Sequence, residues 1–114
     1  MKNGGTEAFS PSERYEVIAA VLRVAERSGI QFSPEASFRE YKDDHGNINR
    51  AKWALSLYRK TSTLEDLVSL RTALGMSFSL ELNPGTRSGV EHVIKGGVED
   101  FRALPRKILY SAPH

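Results

Sequence analysis

Apolar residues at three- and four-residue spacing open the chain: Val17, Ile18, Val21, Leu22 and Ala25 form one stripe at the period of an α-helix. Ser10-Pro11-Ser12-Glu13 precedes it, with a capping serine, a proline suited to the first helical position and a glutamate three residues after the cap. Gly29 closes the stripe. Ser33-Pro34-Glu35 repeats the start signal and predicts a second, shorter helix with Phe38 and Tyr41 on one face. That helix should end in the polar run Asp43-Asp44-His45-Gly46-Asn47. A third helix is expected over residues 49–60, with Ala51, Ala54, Leu55 and Tyr58 along one face and Trp53 and Leu57 widening it. Ser62-Thr63-Leu64-Glu65 offers another capping box, and Leu64, Leu67, Val68 and Leu74 make a fourth stripe that Gly75 stops.

The period then changes. Met76, Phe78, Leu80 and Leu82 alternate with Ser77, Ser79 and Glu81, the pattern of a half-buried strand, and Asn83-Pro84-Gly85 ends it. Val90, Val93 and Ile94 fit either a second strand or a helical turn. After Gly96-Gly97, the residues Val98, Phe101 and Leu104 suggest a short helix stopped by Pro105, and Ile108, Leu109 and Tyr110 form a last apolar patch. The expectation is a mainly α protein with a small β element: a four-helix, helix-turn-helix-like bundle followed by at least one strand. Residues 1–9 read as a disordered start and residues 10–114 as one domain with a basic tail; no internal repeat or long linker divides it.

Composition narrows the classes. The chain has 114 residues, 39% hydrophobic and 26% charged, which suits one modest core. It has no cysteine, so disulfides, thiolate zinc sites and a cysteine nucleophile are excluded, and a reducing compartment fits. No apolar run approaches the roughly 18 residues of a membrane span, and from the polar start no secretory signal is expected. A cytoplasmic location is expected.

Charge is less even than the net +2 implies. Arg50, Lys52, Arg59 and Lys60 lie in a stretch from residue 45 to 60 that has no acid, and Arg102, Arg106 and Lys107 follow Asp100 unopposed. Two basic zones suit contact with a polyanion, or simply two solvated faces. Chemistry is sparse. His45, His92 and His114 are too far apart in sequence for a two-histidine metal motif. Asp43-Asp44-His45 reads better as a turn than as a metal site. Asn83-Pro84-Gly85-Thr86-Arg87-Ser88-Gly89 lacks the lysine of a phosphate loop and reads as a β-turn. Trp53 and Tyr58 among basic residues can stack on bases or pack in a core. No catalytic residue, metal site or cofactor is expected.

The run Leu64-Glu65-Asp66-Leu67-Val68-Ser69-Leu70-Arg71-Thr72-Ala73-Leu74-Gly75 resembles the fourth helix of lambda-repressor-like (Xre-type) helix-turn-helix proteins. Met76-Ser77-Phe78-Ser79-Leu80-Glu81-Leu82 resembles the strand that follows it in HigA-like antitoxin regulators, and Leu55-Ser56-Leu57-Tyr58-Arg59-Lys60 stands where the recognition helix ends. The chain departs from the family in its longer, acidic loop at residues 42–48 and in lacking a glycine after Lys60. The resemblance implies a DNA-binding transcriptional regulator or repressor, acting as a homodimer on double-stranded DNA. Asn47, Asn49, Arg50 and Lys52 would then reach base edges while Arg59 and Lys60 hold phosphates. Strand 76–82 or the basic tail would supply the dimer contact.

The rival expectation is a small protein-interaction module, of the kind that accompanies plasmids, phages or secretion systems, holding a protein partner on an exposed strand or apolar patch. The two differ in arrangement. Trp53 buried with Arg50, Lys52 and Arg59 on one exposed face favours DNA. Those charges scattered or paired to acids, beside an open strand edge, favour a protein partner.

Overall fold

Ser10 starts the first helix as its sequence requires. Its hydroxyl accepts from the Glu13 N–H at 3.1 Å, and the Glu13 carboxylate accepts from the Ser10 N–H at 3.0 Å. Helix α1 (Pro11–Arg27) buries Val17, Ala20, Val21, Val24 and Ala25 along one stripe. The computed structural model describes residues 9–110. Most of the expected loose start, residues 1–8, lies outside the described residues, and so does His114. Phe9 is fully buried.

The four-helix bundle does not form. The segment expected as the second helix is strand β1 (Ala36–Lys42), and the one expected as the third is strand β2 (Ile48–Arg59). Helix α2 (Leu64–Leu74) follows, then strands β3 (Ser79–Thr86) and β4 (Gly89–Gly97) and helix α3 (Val98–Tyr110). The strands form one antiparallel sheet in the order β1-β2-β4-β3.

Burial on both sides of β2 explains the misreading. Trp53, Leu55 and Leu57 alternate toward the core, yet Ala54 and Ser56 between them are also buried. A run apolar or small at every position satisfies a helical period as well as a two-residue one. In β1 only Phe38 is buried, so the strand gives too little pattern to oppose the Ser33-Pro34-Glu35 start signal. Instead of capping a helix, Ser33 donates its N–H to the Tyr58 carbonyl and pins the entry of β1 beside β2.

Three further boundaries move. The alternating strand starts at Ser79 rather than Met76 and runs through Asn83-Pro84-Gly85 to Thr86. Phe78 enters the core just before it. The ambiguous segment at Val90, Val93 and Ile94 is strand β4. Helix α3 contains Pro105 instead of stopping at it, and Phe101 and Leu104 before the proline are buried. The apolar patch read at the chain end is the last turn of α3; Ile108 packs against the core, and the Leu109 and Tyr110 side chains lie outside the described ones.

All three helices contribute to a single hydrophobic cluster with one face of the sheet. On that face Phe38, Leu55 and Ile94 stand in register across β1, β2 and β4. An aromatic chain runs through the cluster: Phe9 to Trp53 at 4.9 Å, Trp53 to Phe38 at 4.8 Å, Phe38 to Phe101 at 5.0 Å and Phe101 to Phe78 at 4.9 Å between centroids. These spacings suit tilted and edge-to-face ring pairs. Gly96 makes room for it, because a Cβ there would stand 2.5 Å from a Phe78 ring carbon.

Candidate functional site

The residues expected to contact DNA are spread over the β1–β2 turn and both ends of β2. Asn47 belongs to the β1–β2 turn, where the Asp43 carboxylate accepts from the N–H groups of His45 and Asn47 at 2.9 and 2.8 Å. Asp43-Asp44-His45 is therefore a turn held by its own aspartate. Asn49 accepts from the Ala51 N–H within β2. Between Glu40 and Tyr41 the register advances one residue on β1 while β2 advances from Trp53 to Asn49, so Arg50, Ala51 and Lys52 bulge away from β1. Lys52 is exposed; the Arg50 backbone lies in β2 and its side chain lies outside the described ones. Arg59 and Lys60 sit at the other end of the strand, roughly 23 Å from Lys52 at the usual rise of about 3.3 Å per residue. Arg59 is engaged to Asp66 at 3.0 Å, and its guanidinium holds the Asp66 carboxyl below the usual carboxylate range. Trp53 is buried, its ring under the Arg14 guanidinium at 4.9 Å, and its indole N–H has no partner among the described residues.

The sheet face turned away from the helices is polar and internally paired. Arg39 donates to Ser37 and Ser56 at 3.2 Å each. Glu91 accepts from Asn83 at 3.0 Å, and a hydrogen bond from Ser56 leads the contacts that keep its carboxyl below the usual range. Lys95 donates to Glu81 at 2.7 Å and lies over the Tyr41 ring at 4.8 Å. The glycine-rich run Asn83–Gly89 is the end of β3 and its tight turn into β4, closed by a Thr86 hydroxyl donating to the Gly89 carbonyl. Among the described residues no group of three His, Asp or Glu side chains is placed to hold a metal ion. No helix among them is long and apolar enough to cross a membrane.

Two apolar surface features stand apart from the paired sheet face. The first is on α2, whose inner face buries Leu70 and Leu74. Leu64 and Val68, one turn apart on its outer face, are 75% and 55% exposed, and Met76 beyond the helix end is fully exposed. The sequence reading placed Leu64 and Val68 in the buried stripe. Leucines and valine around most of the helix were the available signal, since a helix apolar on two sides needs a second neighbour.

The second surface is the seam between α1 and α3. Arg102 meets Glu13 at 3.3 Å near the start of both helices, and Ile108 lies beside Val24 and Arg27 near their ends, so the two run side by side in the same direction. Tyr15, Ala19, Ala20, Pro105 and Ile108 are the apolar lining of a groove of about 500 Å³ between them. Arg23, Arg27 and Arg106 line its rim together with Glu16. Comparison of the chain with protein-family models, curated proteins and solved structures returned no match.

Proposed function

We propose that the chain is a protein-interaction module without catalytic chemistry, which pairs with a second copy of itself through the outer face of α2. The observation that carries this reading is the exposed pair Leu64 and Val68 on a helix whose other face is already core, continued by exposed Met76 just past the helix end. Exposed apolar residues grouped on one ridge mark contact sites more often than scattered ones do. Glu65 and Arg71 stand three residues to either side of Val68. Antiparallel pairing about Val68 brings Glu65 of each copy level with Arg71 of the other, so the face is complementary to itself in charge as well as in apolar character. The cysteine-free sequence suits a reducing compartment such as the cytoplasm.

Sedimentation at rising concentration tests the reading. The parent is expected to dimerise, and Val68→Asp to remain a folded monomer with an unchanged circular dichroism spectrum. A parent that stays monomeric at high micromolar concentration removes the proposal. Double-stranded DNA is the competing ligand class. The recognition helix expected over residues 49–60 does not form, because Ile48–Arg59 is a central strand. A salt-sensitive affinity for random duplex DNA in the same preparations would return DNA as the ligand by another surface.

A further inference from the structure

We infer that the groove between α1 and α3 is a docking site for an acidic, amphipathic helical segment of a partner protein. The inference concerns a different face from α2 and stands without the self-pairing reading. Its floor is made for close approach: Ala19 and Ala20 are small, while Tyr15, Pro105 and Ile108 give apolar walls on either side. Ridges of a third helix seat in such a trough with their apolar positions at helical spacing.

The rim sets the charge of the occupant. Arg23, Arg27 and Arg106 are exposed, and none has a hydrogen bond or ion pair among the described residues. Arg59, Lys95 and Arg102, by contrast, are engaged by Asp66, by Glu81, and by Glu13 and Glu99 respectively. Three unengaged guanidiniums against the carboxylate of Glu16 leave the lining of the groove net positive. Guanidinium forks around an apolar floor select carboxylates flanking an apolar stripe. A duplex offers phosphates but no apolar ridge for the alanine floor, and Glu16 repels them. A bilayer is flat where this surface is concave.

Selection from a displayed library of random peptides against the full-length chain tests the inference. Enriched peptides are expected to be net acidic with apolar residues three and four apart. Arg23→Glu with Arg106→Glu should weaken them by about tenfold or more, because the charge contacts become repulsive. Ala19→Trp, which fills the floor while leaving the charges alone, should weaken them comparably. All three positions lie on exposed surface, so the variants keep the parent melting temperature. Val68→Asp should leave peptide affinity unchanged, which separates this site from the α2 face. The inference is overturned if nothing enriches, if the enriched peptides are basic or lack the helical period, or if their affinity survives both sets of substitutions. Tighter binding of random duplex DNA or of anionic phosphatidylserine vesicles than of any selected peptide, lost in the charge-reversed variant, also overturns it.

Discussion

His92 is buried in the middle of β4 with its Nε2 2.9 Å from the Ser62 hydroxyl and its Nδ1 3.2 Å from the Val90 carbonyl. The Phe32 ring stands edge-on to it at 4.9 Å. Burial pushes the imidazole below its ordinary range; the Val90 carbonyl works against that and the nearby Arg59 charge adds to it. The unfolded chain takes up a proton near pH 6.5, whereas the folded chain resists it. His92 therefore contributes stability that is present above about pH 6.5 and is lost as the pH falls through its lowered folded value. Urea midpoints measured from pH 7.5 down to 5 should fall in the parent and stay flatter in His92→Gln; equal slopes would show that the ring does not titrate with unfolding. Neither this burial nor the fit of Gly96 against Phe78 was legible in the sequence. A lone histidine and a Gly-Gly pair carry no periodicity, and what places them is register with Leu57 and Trp53 on a strand far away in the chain.

Helix boundaries were legible where short-range hydrogen bonds decide them. Glu13 does bond back to Ser10, and its carboxyl is held below the usual range chiefly by that backbone N–H. The box before α2 is shifted by one residue from the sequence reading: Thr63 accepts from the Asp66 N–H at 3.0 Å, and Asp66 also receives Arg59 at the end of β2. Thr63→Ala should cost about 1 kcal/mol of unfolding free energy, measured as a lower urea midpoint at constant slope. A loss within error would mean that tertiary contacts alone hold the start of α2. Strands were harder to read, because their stabilising contacts are distant in sequence. Phe38 owes its position to Leu55 opposite it, and Leu55 to Ile94 beyond, a chain of neighbours that no local window contains.

At the scale of the whole molecule, the aromatic chain from Phe9 to Phe78 ties the start of the described chain to α3 and to the approach of β3. A domain boundary placed after residue 9 leaves out one of its members. Phe9 touches Trp53 and Phe38 and lies under the Arg102 guanidinium at 5.1 Å. Phe9→Ala should lower stability by about 3–5 kcal/mol; a melting temperature close to the parent's would mean that the core closes over the missing ring. The sheet order carries a consequence for how the molecule assembles. β1 and β2 are joined by a short turn, and so are β3 and β4, but the central seam joins β2 to β4 across α2. Arg59 and Val90 at one end of that seam are 31 residues apart, and Lys52 and Gly97 at the other are 45 apart. Each hairpin closes locally, on a scale of about 1–10 µs, while the seam must first overcome the entropy of closing the long loop. The two hairpins are thus fast, interchangeable beginnings, and the rate at which the chain becomes one molecule is set where Leu55 meets Ile94.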